Sequence, residues 1–285
     1  VISFLGGFHG RTLGAMSVSS SNTKTKQNSQ PLMSGVFFCE PKIEQFDKLI
    51  NLNSCPEETA AIIFEPVQGE GGINSLSDEF LKYVQRLCNN ENIVFIVDEV
   101  QCGFGRTGTW WNATQKQITP DILTFGKGIA SGFPIAGLTM TNEISDSLNV
   151  GYLGGTYGGN PLVTEAASIT IDVFNDENIL ENVKNTGLIL NKGLNKIKQN
   201  TGLIKAIRQY GLMVALEFYD NPKEQKYIDL NIAVEKLRDD HNILVLFAGY
   251  KNQFIRILPP LNTKPQEIEY FLNSLDKVLN KINSY

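Results

Sequence analysis

Asp98 and Lys127 are the two residues whose types and placement could do chemistry. Ile93-Val94-Phe95-Ile96-Val97 is an apolar, β-branched run short enough to be a strand buried on both faces, and it stops at Asp98-Glu99-Val100-Gln101. A second run, Asp121-Ile122-Leu123-Thr124-Phe125, ends in Gly126-Lys127-Gly128. Ligands of α/β sheets sit outside the carboxyl ends of the strands, so the acid and the amine are expected at one edge. A lysine amine can form a Schiff base with a carbonyl, and flanking glycines let the backbone approach a flat ring. A carboxylate can keep a pyridine nitrogen protonated, so that the ring acts as an electron sink. These are the requirements of pyridoxal phosphate chemistry. Each residue alone is weak evidence, because strands often end in structural acids and loop lysines are commonly solvated.

Such an edge needs a sheet behind it. Val1-Ile2-Ser3-Phe4-Leu5 and Ala60-Ala61-Ile62-Ile63-Phe64 read as further buried strands. Between Phe64 and Asn92, Ser77 is an expected N-cap for a helix over Asp78 to Cys88, with Phe80, Leu81, Val84 and Leu87 at helical spacing. Alternation of strand and helix predicts an α/β fold with a mostly parallel sheet covered by helices on both faces. Strands rarely open a domain unprotected, so the chain is expected to be incomplete at its N-terminus.

Composition narrows the chemistry. With 285 residues, 42% of them hydrophobic, the chain can bury a large core. A net charge of −5 and a pI near 5.2 argue against nucleic acid as partner. No run has the roughly 18 apolar residues of a membrane span, and no membrane partner is expected. Cys39, Cys55, Cys88 and Cys102 lack metal or redox spacing and read as reduced thiols. His9 and His241 are the two histidines, so no metal site and no serine–histidine triad is assigned.

Other segments carry candidate ligands. Gly6-Gly7-Phe8-His9-Gly10-Arg11-Thr12 could lay Phe8 on a ring and Arg11 on a carboxylate, or be a tight strand-to-helix turn. Glu65-Pro66-Val67-Gln68-Gly69-Glu70-Gly71-Gly72 repeats the layout of acid and glycines at a strand end, and Glu70 can reach into a site. Gly103-Phe104-Gly105-Arg106-Thr107-Gly108 lacks phosphate-loop spacing and reads as a flexible loop beside it. Arg256, within Phe254-Ile255-Arg256-Ile257-Leu258, is out of place as a solvated residue; buried, it needs a carboxylate partner.

The set Phe8-His9-Gly10-Arg11-Thr12, Glu65 to Gly72, Asp98-Glu99-Val100-Gln101, Thr124-Phe125-Gly126-Lys127-Gly128 and Gly154-Gly155-Thr156-Tyr157-Gly158-Gly159-Asn160-Pro161 resembles the class III pyridoxal phosphate-dependent aminotransferases nearly end to end. The Gly-Gly-Thr-Tyr segment is similar to 4-aminobutyrate aminotransferases. Asp98 to Gly108 and Leu258-Pro259-Pro260-Leu261 also occur in acetylornithine aminotransferases. The resemblance implies a fold-type I transferase with pyridoxal 5'-phosphate as cofactor. Lys127 would be the Schiff-base lysine and Asp98 the partner of the ring nitrogen. Gln101 would bond the ring oxygen, and Phe8 and Val100 would cover the two ring faces. Thr156 would bind the cofactor phosphate of a neighbouring subunit, which implies a homodimer with shared sites.

For substrates, the resemblance implies that Arg256 grips the α-carboxylate of 2-oxoglutarate or glutamate. Glu70 would pair with Arg256 when an ω-amino acid is bound, and Arg11 would hold the distal carboxylate. The expected reaction moves an amino group from an ω-amino acid, foremost 4-aminobutyrate, to 2-oxoglutarate, giving succinate semialdehyde and glutamate. Acetylornithine or ornithine as donor is the alternative, and a truncated or non-catalytic relative is an alternative of another class. The compartment expected of such an enzyme is the cytoplasm or the mitochondrial matrix. Domains are expected at 1–174, a cofactor-binding domain, and 175–285, a small α+β domain. Its helices are read over Asn178 to Gln199, Tyr227 to Asp239 and Pro265 to Asn280, and its strands between Leu203 and Tyr219 and at Ile243 to Phe247. Tyr210 departs from the family pattern, which carries a second glycine there.

Overall fold

The computed structural model describes residues 1–219 and 227–283. The chain clusters into two compact units: Val1–Gly69, Ser75–Phe104 and Thr109–Glu177 form the first; Glu70–Asn74, Gly105–Gly108 and everything from Asn178 form the second. Two loops that the sequence groups with the first domain therefore cluster with the C-terminal unit.

The first unit holds a six-stranded sheet. Its strands are β1 (Ile2–Phe4), β2 (Phe37–Cys39), β3 (Ala61–Phe64), β6 (Val94–Asp98), β7 (Ile122–Phe125) and β8 (Gly137–Met140), in the order β2-β1-β3-β6-β7-β8. Two short strands, β4 (Val67–Gln68) and β5 (Asn74–Ser75), come between β3 and β6 in the chain. All pairings in the six-stranded sheet are parallel except that of β7 with β8. The mostly parallel sheet is as expected. The antiparallel edge β8 and the outer strand β2 are additions.

The helices of this unit are α1 (Leu13–Ser17), α2 (Ile43–Leu52), α3 (Asp78–Glu91), α4 (Asn112–Lys116), α5 (Asn142–Ser147) and α6 (Pro161–Asp176). Ser77 caps α3 by accepting from the Phe80 amide, and Asn92 ends it in the left-handed region at φ 54°. α3 buries Phe80, Leu81, Val84 and Cys88. Phe80 meets Phe4 of β1 edge-on, with ring centroids 5.0 Å apart, and meets Phe46 of α2 in the same way at 6.1 Å. Burial of each such ring contributes about 2–3 kcal/mol, and truncating Phe80 to alanine costs about 3–5 kcal/mol. This apolar layer fixes the register of β1, β3 and β6, whose carboxyl ends carry the candidate residues.

The second unit holds an antiparallel sheet of order β11-β12-β10-β9, made of β9 (Ile204–Tyr210), β10 (Met213–Phe218), β11 (Leu246–Ala248) and β12 (Phe254–Ile257). Its helices are α7 (Ile179–Thr201), α8 (Leu230–His241) and α9 (Pro265–Asn283). α8 starts at Leu230, capped by Asp229, which accepts from the Asn231 amide. Tyr227 therefore precedes the helix, and residues 220–226 lie outside the described ones. The strand read over Ile243 to Phe247 forms instead at Leu246–Ala248. Met213 and Leu216 are buried as core. No helix among the described residues is long and apolar enough to cross a membrane.

Candidate functional site

Asp98 ends β6, and Thr124 lies opposite it on β7. The Glu99 amide donates to the Thr124 carbonyl at 2.9 Å, which carries the pairing just past the strand end. The register thus brings the Lys127 segment to the edge where Asp98 emerges. Asp98 Oδ1 accepts from the Val100 amide at 3.0 Å and the Thr124 hydroxyl at 3.1 Å. Oδ2 lies 2.8 Å from His9 Nδ1, with both side chains nearly sealed from solvent, at 2% exposure for His9 and 7% for Asp98. With its proton on Nδ1 the imidazole donates to the carboxylate, and Ser3 Oγ lies 3.5 Å from the other ring nitrogen. His9 is the partner the sequence left without a role. A lone histidine in a glycine-rich turn after a buried strand was its one signal.

Glu65 was also missed. It is buried at the end of β3, where it accepts from the Phe8 amide at 2.8 Å and the Gly69 amide at 3.1 Å. One carboxylate thus joins the turn carrying Phe8 to the turn after β4. Burial pushes its pKa up to about 7, against the pull of His9, with the Asp98 charge adding to the rise. Burial likewise raises Glu99 to about 7, although the amides of Asn112 and Ala113 donate to it.

The Gln101 side chain lies against Gly69. A Cβ at that position would fall 1.4 Å from Gln101 Oε1, so glycine is required there by space. Val100 Cγ1 approaches Gly126. Lys127 is exposed and opens a short 3-10 turn, Lys127–Ala130, at φ 47°, a left-handed conformation uncommon for lysine.

Other expected residues stand apart. Arg11 is exposed just before α1. Thr156 lies in the exposed segment 151–159 and makes no side-chain hydrogen bond among the described residues. The expected flexible loop at 103–108 is instead a mostly buried, hydrogen-bonded turn. In the first unit the Gly103 amide donates to the Glu99 carbonyl. In the second, Arg106 donates to the backbone oxygens of Leu212 and Pro259, at 3.4 and 2.6 Å, and burial lowers its pKa to about 10.

Also in the second unit, Arg256 on β12 is buried as expected, and its carboxylate partner is Glu70. Arg256 Nη1 donates to Glu70 Oε1 at 2.6 Å, with side-chain exposures of 8% and 34%. A buried guanidinium therefore faces a partly open carboxylate.

The cysteines are free, with Cys39, Cys88 and Cys102 buried and Cys55 exposed.

The family described as aminotransferase class-III matches residues 1–279. A mitochondrial acetylornithine aminotransferase of Debaryomyces hansenii is 37% identical over 99% of this chain and 59% of its own length. The 4-aminobutyrate aminotransferase GabT of Escherichia coli is 34% identical over 98% of this chain and 68% of its own. The crystal structure of a transaminase from the marine bacterium Virgibacillus superposes with a TM-score of 0.91 at 26% identity, covering 99% of this chain and 68% of that one. The chain thus spans roughly two thirds or less of the length of these relatives.

Proposed function

The chain belongs to the class III aminotransferases, which are pyridoxal phosphate-dependent enzymes, and from that premise we propose that it moves an amino group from an ω-amino acid to 2-oxoglutarate. The observation that carries this reading is the Arg256–Glu70 pair, 2.6 Å apart. A buried arginine matched to one α-carboxylate would be left uncompensated by a partner lacking that group, at a cost of several kcal/mol. A partly exposed glutamate on the same arginine solves this: it pairs when the donor brings no carboxylate there and yields when 2-oxoglutarate brings one.

The donor set fits the cofactor. Asp98 presents a carboxylate at the sheet edge backed by a histidine and two neutral donors, which suits a protonated ring nitrogen. An amine, an aromatic ring and an amide, from Lys127, Phe8 and Gln101, lie in the same unit. When bound, pyridoxal phosphate supplies an electron sink for charge developing on the substrate carbon. Lys127 would hold the cofactor through its Nζ amine, and the same amine would take and return a proton at the substrate carbon. Asp98, oriented by His9, would hold the proton on the ring nitrogen. Gln101 would hydrogen-bond the ring oxygen, while Phe8 and Val100 would cover the ring faces. Arg11 holds the distal carboxylate of either substrate. Thr156 of one copy would bind the phosphate of a second, and the active assembly would then be a homodimer.

The leading donor is 4-aminobutyrate. N-acetylornithine is the second reading, favoured by the 37% identity to the Debaryomyces enzyme. Glutamate formation from 2-oxoglutarate, measured with each donor in turn, decides between them. A larger kcat/KM for 4-aminobutyrate is expected; a larger one for N-acetylornithine transfers the assignment, and transfer from neither donor overturns the reading.

A further inference from the structure

The loop that carries Glu70 is held in place by a residue with no role so far. Arg208, on β9, reaches from the sheet of the second unit to this loop. Its Nη1 donates to the Gly72 carbonyl at 3.1 Å and to the Asn74 side-chain oxygen. Its Nη2 donates to Glu217 Oε2 on β10 at 2.6 Å. The guanidinium stacks on the Phe254 ring, 4.4 Å from its centroid. Phe254 opens β12, the strand that also bears Arg256.

The loop resists this placement. Ile73 is fully buried at φ 56°, a conformation that clashes for a β-branched side chain. Gly72 lies at φ 103° against the Phe254 ring, where a Cβ would fall 2.8 Å from a ring carbon. Such strain persists when surrounding contacts over-determine the backbone. The Arg208 fork supplies those contacts at Gly72 and Asn74, and the Gly249 amide adds one by donating to the Glu70 carbonyl at 3.1 Å.

We propose that Arg208 is a positioning residue for substrate discrimination: it locks the Glu70–Asn74 loop to the β9–β10–β12 sheet, so that the Glu70 carboxylate is presented to Arg256. The proposal rests on the aminotransferase reading above. Its direction follows from competition. Glu70 and an incoming α-carboxylate seek the same guanidinium, so releasing the loop weakens the competitor. Substrates with an α-carboxylate then bind more tightly. Donors without one bind more weakly, because the buried Arg256 charge loses its counterion.

Two variants test this in the full protein. Arg208→Lys keeps a cation beside Glu217, but one ammonium cannot replace the planar fork or its stacking. Asn74→Ala leaves the Arg208–Glu217 pair intact and removes the loop end alone. In both, amide hydrogen exchange of residues 70–74 should accelerate by about tenfold or more, with β10 and β12 unchanged. Unchanged loop exchange overturns the latch. The ratio of KM for 4-aminobutyrate to KM for 2-oxoglutarate should rise about tenfold, and Arg208→Lys should leave it unmoved in a Glu70→Ala background. Parallel changes in both KM values, or a fall in kcat alone, overturn the discrimination. Absence of amino transfer by the wild-type protein removes the functional reading, and the discrimination with it, while the exchange result stands on its own.

Discussion

Asp98 in the first unit and Glu70 in the second are both carboxylates at short range from a nitrogen, and they are held in opposite ways. Asp98 accepts from three chain donors on two oxygens and is 7% exposed. Glu70 faces Arg256 with 34% of its side chain still open, on a loop whose backbone is pinned. A charge whose duty is constant through a reaction gains from fixed dipoles that need no reorganisation. A charge that changes partners, as proposed for Glu70, is served by a rigid base and an end partly open to solvent. The contrast predicts that damage to the Asp98 side lowers turnover, whereas damage to the Glu70 side redistributes affinity.

The largest effect tests the edge that Asp98 serves. Lys127→Ala should lower amino transfer by roughly four orders of magnitude while leaving the circular dichroism spectrum intact, since the side chain is exposed. A residual rate within tenfold of wild type would end the assignment of Lys127. Next, Asp98→Asn should lower kcat about 10²–10³-fold, with both KM values changing far less. Equal loss in kcat and rise in KM would erase the distinction between the two carboxylates.

Smaller and of another kind, Glu70→Gln should raise KM for the ω-amino donor about tenfold while lowering that for 2-oxoglutarate. kcat for the 2-oxoglutarate half should hold within about threefold. The last effect is on stability rather than on catalysis. Burial raises the folded pKa of Glu65 from the ordinary 4.5 to about 7, so the folded state binds more protons than the unfolded one between those values. Its stabilising contribution is full below the unfolded pKa and is lost as pH rises through about 7. Urea denaturation at pH 5 and pH 8 should show Glu65→Gln gaining on wild type by up to about 3 kcal/mol at the higher pH. A pH-independent difference would mean that Glu65 stays charged in the fold.

The sheet was legible where one pattern served one purpose. The runs ending at Asp98 and Phe125, and the helix capped by Ser77, formed nearly as read because periodicity and capping are local signals. β2, Phe37–Cys39, was not legible: it is three residues long and owes its existence to pairing with β1. For the site, residue types told of an amine, an acid and a buried arginine in need of a carboxylate. They could not tell that His9 backs Asp98 across 89 positions, or that Arg208 spans more than 130 to reach Gly72 and Asn74. Such partnerships are set by how strands stack, and a sequence window carries no trace of them. The turn at 103–108 misled for the same reason, since its glycines mark close packing as well as mobility.

The distribution of thiols has a practical consequence. All four cysteines, and both tryptophans, Trp110 and Trp111, fall within the first unit. Cys55 is open to reagents, whereas Cys39, Cys88 and Cys102 become reactive when that unit opens. A pulse of thiol label followed by mass spectrometry therefore clocks the opening of the first unit through three internal sites, with Cys55 as the built-in control. Melting of the second unit alone would be silent in that clock and dark in tryptophan emission. A denaturation curve followed by either probe would then report the stability of one unit under the name of the whole protein.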